Sequence, residues 1–280
     1  RINYIKNVKD GLSEIYRSSM GKSTLREKTM YKDNYYKFQE YYGQEGQLTQ
    51  RTIYENKKKS FFESYYDNGN PKEKRNYKNG IYHGSLELFY VNGELREKSN
   101  YVNGKKDGLF ESYYDNGQLK QKLTYIQDIR NGLEETFFET GAIKQRVNYK
   151  NNKKDGIHED YQSSFDKSFL REKRIYKNDQ YVSRETYHWQ EGKLRDKQTY
   201  LNGRRDGLYE SYYINGQPKE KRNYKNGKET GSFELFYDNG QLKEKRSPTS
   251  VERFYTNGQL SDKYLRGELI ESYSENGNPK

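Results

Sequence analysis

The sequence predicts an all-β protein: an elongated, twisted, single antiparallel sheet of tandem β-hairpin repeats, about twelve units of about 24 residues. Three observations lead there. Segments 61–76, 109–124, 208–223 and 233–247 read FFESYYDNGNPKEKRN, LFESYYDNGQLKQKLT, LYESYYINGQPKEKRN and FELFYDNGQLKEKRS. The turn glycines Gly69, Gly93, Gly117 and Gly141 lie 24 residues apart, as do Gly192, Gly216 and Gly240. Within each unit the side chains alternate with period two, and no segment has helical spacing.

One unit shows each element in order. Leu109, Glu111 and Tyr113 point one way from the first strand, and Phe110, Ser112 and Tyr114 the other. Asp115-Asn116-Gly117 follows and reads as a type I′ hairpin turn, which needs positive φ at two residues. The return strand runs from Leu119 to about Tyr125, with Lys120, Lys122 and Thr124 sharing a face. A longer connection, Asn103-Gly104-Lys105-Lys106-Asp107-Gly108, is expected between units. Each hairpin adds two strands, so each unit advances the sheet by roughly 10 Å.

Composition fits a thin sheet better than a globule. Hydrophobic residues make up 30% of the chain and charged residues 33%. Such polarity alone suggests disorder. The 31 tyrosines reverse that reading, because their rings bury area even in a thin structure. There is no cysteine, so disulfide, cysteine–zinc and thiol chemistry are excluded. The net charge of +11 invites an anionic partner. The 41 interspersed acidic residues argue against nucleic acid as that partner. The chain opens on Arg1 in mid-repeat, which suggests a trimmed N-terminus and leaves export open.

A longer period lies over the short one. Residues 1–28 match 146–173, and the match extends so that 1–98 resembles 146–245 with an offset of about 146. We therefore expect one continuous array over 1–280, with two shortened repeats at 247–280.

The pattern Gly-x-x-Glu-x-Tyr-Tyr-x-Asn-Gly-x-Leu-Lys, best seen at 108–120 and 207–219, resembles the MORN-repeat variant common in bacteria. It departs from the eukaryotic MORN consensus, which is richer in Gly and Trp. The resemblance implies a stacked-hairpin sheet and a role in protein or membrane association. It also implies two further settings, since some members are antitoxin components of toxin–antitoxin or immunity pairs and others are exported or surface-associated. The resemblance tilts location toward export or the cell surface.

Two uniform columns run through the units. Glu-x-aromatic pairs such as Glu40/Tyr42 and Glu111/Tyr113 are expected to serve the unit, the carboxylate accepting from a backbone N–H or a Tyr hydroxyl. Basic pairs such as Lys120/Lys122 and Lys219/Lys221 would line one face with cations, either simply solvated or engaging phospholipid headgroups, glycans or an acidic protein. Irregular units are better places for specificity. Segments 18–23 and 163–168 replace the tight turn by what reads as a longer loop carrying Lys22 and Lys167. His188 and Trp189 adjoin another turn, and Trp189 is the only tryptophan. These eight residues are the candidate partner-binding residues.

Catalysis finds no support. His83, His158 and His188 share no spacing, no nucleophile or dinucleotide motif occurs, and no cofactor or metal is expected. The expected function is a non-catalytic scaffold binding a protein or cell-surface partner along an extended sheet face. The alternatives are an antitoxin or immunity protein that binds a toxin directly, and peripheral attachment to anionic membranes. Open sheet edges also allow self-association.

Overall fold

The computed structural model describes residues 4–5, 8–19, 21–164, 167–189 and 191–280. Arg1 and the irregular-segment residues Met20, Phe165, Asp166 and Gln190 lie outside the described residues. Two compact units meet in sequence between Gly141 and Ala142.

Among the described residues every regular element is a β-strand. After a small ladder between Tyr4–Ile5 and Val8–Lys9, the first unit is an antiparallel meander from Gly11–Ser19 to Gly132–Phe137. The second unit runs from Ile143–Lys150 to Glu268–Ser272 in the same way. Consecutive strands pair, so backbone groups along the sheet find partners on both sides. The all-β, consecutive-hairpin architecture is the one the repeat pattern predicts.

The turns are distributed differently from the expectation. Paired positive φ values, the type I′ signature, fall at Asn79-Gly80 (55° and 83°) and Asn103-Gly104 (52° and 84°). These are the connections expected to be long. They are two-residue turns, and Lys105–Tyr113 is already strand. His83 lies inside the strand Ile81–Phe89. Asp115-Asn116-Gly117 is the looser loop. Gly117 N donates to Tyr114 O at 3.0 Å, Tyr114 N donates to Gln118 O at 2.8 Å, and Gly117 has a φ of 81°. That is a three-residue loop, a type I turn closed by a left-handed glycine.

The reason for the asymmetry lies in what Asn116 does. Its Oδ1 accepts from Gln118 N at 2.9 Å, and its Nδ2 donates to Glu139 O, one unit on, at 3.1 Å. Asn92, Asn215, Asn239 and Asn257 repeat the link to the next turn. The tyrosine that precedes the turn, second of a Tyr-Tyr or Phe-Tyr pair, adds a parallel link. Tyr114 OH donates to Phe137 O at 2.8 Å, and Tyr66, Tyr90, Tyr213, Tyr237 and Tyr255 do likewise. The repeated Asn and Tyr thus staple each turn to its successor.

Core burial is slight. Leu123 and Val147 are the only buried hydrophobic residues among those described, and the other buried side chains are polar or charged, such as Thr29, Thr52, Ser99 and His158. Each lies in a cross-strand row on one face of its sheet, opposite Ser13, Phe62, Phe110 and Arg174 respectively.

Two substitutions test the staples. Tyr114→Phe removes the bond to Phe137 O and should cost about 1 kcal/mol in denaturant unfolding, and Asn116→Ala, which removes the bonds to Glu139 O and from Gln118 N, should cost at least as much. Lys120→Ala, at an exposed site, should cost less than about 0.5 kcal/mol.

Candidate functional site

The glutamate column and one of the two basic columns turn out to be a single row. Glu111 lies opposite Lys122, Lys122 opposite Glu135, and on the other side Glu111 lies opposite Lys98 and Lys98 opposite Glu87. The row extends unbroken through Glu14, Lys28, Glu40, Arg51, Glu63 and Lys74 in the first unit. The second unit repeats it from Glu159 and Lys173 to Lys263 and Glu271. Ion-pair distances include 2.8 Å for Lys122–Glu135, 2.6 Å for Lys197–Glu210 and 2.8 and 3.0 Å for Arg51 to Glu40 and Glu63. Each such cross-strand pair, its cation part-exposed over a largely buried carboxylate, is worth about 0.2–1 kcal/mol.

The expectation of a face lined with cations therefore fails. Lys122 and Lys221 stand between carboxylates, with Lys221 3.8 Å from Glu210. Lys120 and Lys219 leave the alternation altogether. Ser112 pairs with Gln121 and Tyr113 with Leu119, so Lys120 is the extra residue of a β-bulge, and Lys219 is its counterpart. Both lie exposed, their ammonium groups 5.3 and 5.7 Å from the rings of the staple residues Tyr114 and Tyr213.

Tyrosine hydroxyls complete the row. Tyr42 donates to Glu40 at 2.7 Å, Tyr161 to Glu159 at 2.9 Å and Tyr187 to Glu185 at 2.8 Å. Burial, together with the bond to the Glu40 carboxylate, pushes the Tyr42 phenol up to about 12. Tyr65 rises to about 12 through burial and its bond to Glu63. On the second unit's other face, Asp160 meets Gln145 at 2.8 Å and Arg174 at 3.1 Å, with His158 at 3.5 Å. Burial opposes its charge, but His158, Gln145 and Arg174 together hold the carboxyl well below the usual carboxylate range. Among the described residues no three His, Cys, Asp or Glu side chains are grouped to hold a metal ion.

The irregular segments are not loops but longer hairpins. The ladder of Gly11–Ser19 with Lys22–Lys32 continues through Arg17–Thr24 and Ser18–Ser23 to Ser19–Lys22. Its counterpart continues through Gln162–Phe169 and Ser163–Ser168 to Ser164–Lys167. Lys22 and Lys167 are thus exposed at hairpin tips.

Each long hairpin lacks a staple tyrosine of its own: Arg17 in the first unit and Gln162 in the second stand at that ladder position. In the turn that follows, Gly43 and His188 stand where a tyrosine would, and His188 Nε2, 3.3 Å from Tyr212 O, keeps the link to the next unit. A cleft opens at both places. One, of about 130 Å³, is lined by Arg17, Thr24, Leu25, Arg26, Tyr42, Gly43 and Gln44. The other, of about 190 Å³, is lined by Gln162, Phe169, Leu170, Arg171, Tyr187, Trp189 and Arg195. Trp189 stands in a turn one residue longer than the usual one and is 45% exposed, its ring centroid 6.4 Å from that of Phe169. Arg195 is held by Thr186 at 3.2 Å and Asp196 at 3.1 Å. The guanidinium groups of Arg17, Arg26 and Arg171 bond to no described residue.

Of the eight residues singled out from the sequence, only Trp189 lines a cleft. Phe169, Leu170 and Tyr187 were passed over because each occupies an ordinary repeat position. Their role depends on the absence of a staple tyrosine from the long hairpin itself. The signal available in the sequence was the replacement of that tyrosine by Arg17 and Gln162.

Comparison with known proteins gives one family signal. The model of the MORN repeat variant matches residues 62–79, 82–103, 106–127, 130–151, 205–226 and 229–247. No curated protein matches the chain. Two crystal structures, TcdB2-TccC3-Cdc42 and TcdB2-TccC3-TEV, match at 9% and 12% identity over 96% and 94% of this chain. Their TM-scores are 0.21 and 0.19, and the chain spans only 21% and 16% of their lengths. At those scores the likeness carries no structural argument.

The tyrosine row has a pH signature. A phenol whose folded value is raised stabilises the fold fully below its unfolded value of about 10, and that stabilisation is lost as pH rises through the folded value. With Tyr42 and Tyr65 at about 12, the melting temperature should hold up to pH 10 and fall between pH 10 and 12. Tyr42→Phe with Tyr65→Phe should flatten that fall in a calorimetric pH series.

Proposed function

We propose that this chain, six of whose segments match the MORN repeat variant, is a non-catalytic repeat scaffold that holds a protein or cell-surface partner on an extended sheet face, with recognition concentrated at the two clefts. What carries this reading is the contrast between the ladder and the clefts. Along the ladder each cation already has a carboxylate opposite it, so little charge is left to direct a partner. The clefts interrupt the repeat at matching places in both units and combine apolar walls with guanidiniums that have no described partner. Exposed aromatic and arginine side chains are the types that dominate protein–protein recognition.

Photo-crosslinking tests this directly. A photoreactive residue replacing Gln44 or Trp189 should give a discrete adduct in the native host. The same residue at the exposed ladder-face position Thr124 should give far less. Equal labelling at all three positions, or none at any, would overturn the reading.

A further inference from the structure

We infer that the cleft beside Trp189 receives an acidic peptide segment, seating an apolar side chain against Phe169, Leu170 and Trp189 and the neighbouring carboxylate on Arg171. This rests on the scaffold reading and specifies its partner.

Size is the first argument. At about 190 Å³ the cleft is smaller than the roughly 300–1,000 Å³ of sites that enclose a cofactor or drug-sized ligand. A single side chain is what such a space can enclose. The walls decide which kind. Phe169, Leu170 and Tyr187 are half-buried, and the Trp189 ring, 45% exposed, leans toward Phe169 with its apolar surface wetted. Covering that surface favours an apolar group.

Charge supplies the second half. Arg171 is the bulged residue between Leu170 and Glu172, which frees it from the cross-strand row. It is exposed and its guanidinium bonds to no described residue, while Arg195 across the cleft is already tied to Thr186 and Asp196. A free guanidinium presents paired N–H donors that match a carboxylate in bidentate geometry. Lys193 in the adjoining turn adds positive charge and Glu191 offsets it, so selectivity for the anion rests on Arg171. Tyr187 cannot replace it as a donor, because its hydroxyl is engaged by Glu185.

The first-unit cleft acts as a natural control. It keeps Leu25, Arg26 and Tyr42, but Thr24 stands where the second has Phe169, and Gly43 and Gln44 stand where it has His188 and Trp189. It retains the anion-binding arm without the aromatic wall, and should hold the same peptide more weakly.

Trp189 is the only tryptophan, so its fluorescence reports occupancy of this one cleft in the intact chain. The probe is an end-blocked hexapeptide with one Leu between two Glu in a Gly/Ser background. A saturable change in emission is expected. Replacing Glu by Gln, replacing Leu by Ser, or introducing Arg171→Ala should each weaken binding about tenfold, with Arg171→Lys in between. Arg26→Ala should leave the Trp189 titration unchanged. Three outcomes would overturn the inference: no saturable change at millimolar peptide, equal binding of the Gln peptide, or an Arg171-dependent response to anionic phosphatidylserine vesicles that exceeds the response to peptide. An unchanged circular dichroism spectrum for each variant separates lost binding from lost folding. If the peptide fails while cleft crosslinks persist, the peptide assignment falls and the scaffold reading stands.

Discussion

In a sheet one layer thick, side chains have no opposing layer to pack against. Whatever stabilises one strand must come from the strands beside it. Few of the described residues are buried and only two of those are hydrophobic, so the apolar burial that drives most folding is weak here. The repeat makes up the difference laterally. Turn asparagines and staple tyrosines tie each hairpin to its successor, and an alternating row of glutamates with lysines or arginines joins strand to strand. Each contribution is small, but each recurs through the unit. This explains why residues with no fold-specific chemistry of their own, Asn and Tyr above all, are so faithfully repeated.

The same constraint shapes where function can reside. A residue repeated in each hairpin is committed to its neighbour, and the lysines show this plainly. Lys122 is shared between carboxylates, and Lys120 lies over the ring of Tyr114. Freedom to meet a partner arises only where the lateral pattern lapses. It lapses at the long hairpins, where Arg17 and Gln162 stand in place of a staple tyrosine. The clefts follow from those lapses.

Much of the fold was legible in the sequence. Period-two alternation and the 24-residue glycine spacing are direct consequences of strand geometry and turn conformation, so hairpin architecture could be read from residue types alone. Turn types were not legible, because Asn-Gly suits two different loops. Asn103-Gly104 forms the type I′ turn, while Asn116-Gly117 closes a three-residue loop whose Asn is held by contacts one unit away. Register was the other hidden quantity. The bulge at Lys120 cannot be seen in an alternating string, yet it moves that residue out of the row and leaves Lys122 facing Glu111. The candidate site was half legible. The paired irregular segments pointed to the right places, but Lys22 and Lys167 lie at the tips of those hairpins, outside the clefts, and the apolar walls came from ordinary repeat positions.

Lateral, nearest-neighbour stabilisation is the claim on which the rest depends, and hydrogen exchange resolved to single amides tests it most directly. Tyr90→Phe removes one staple, the bond from Tyr90 OH to Tyr113 O. Exchange should quicken in the strands Ile81–Phe89, Leu95–Val102 and Lys105–Tyr113 and stay unchanged in Lys22–Lys32 of the same unit. Uniform acceleration across the whole unit would contradict the account, because it would mean that the sheet opens as one cooperative body.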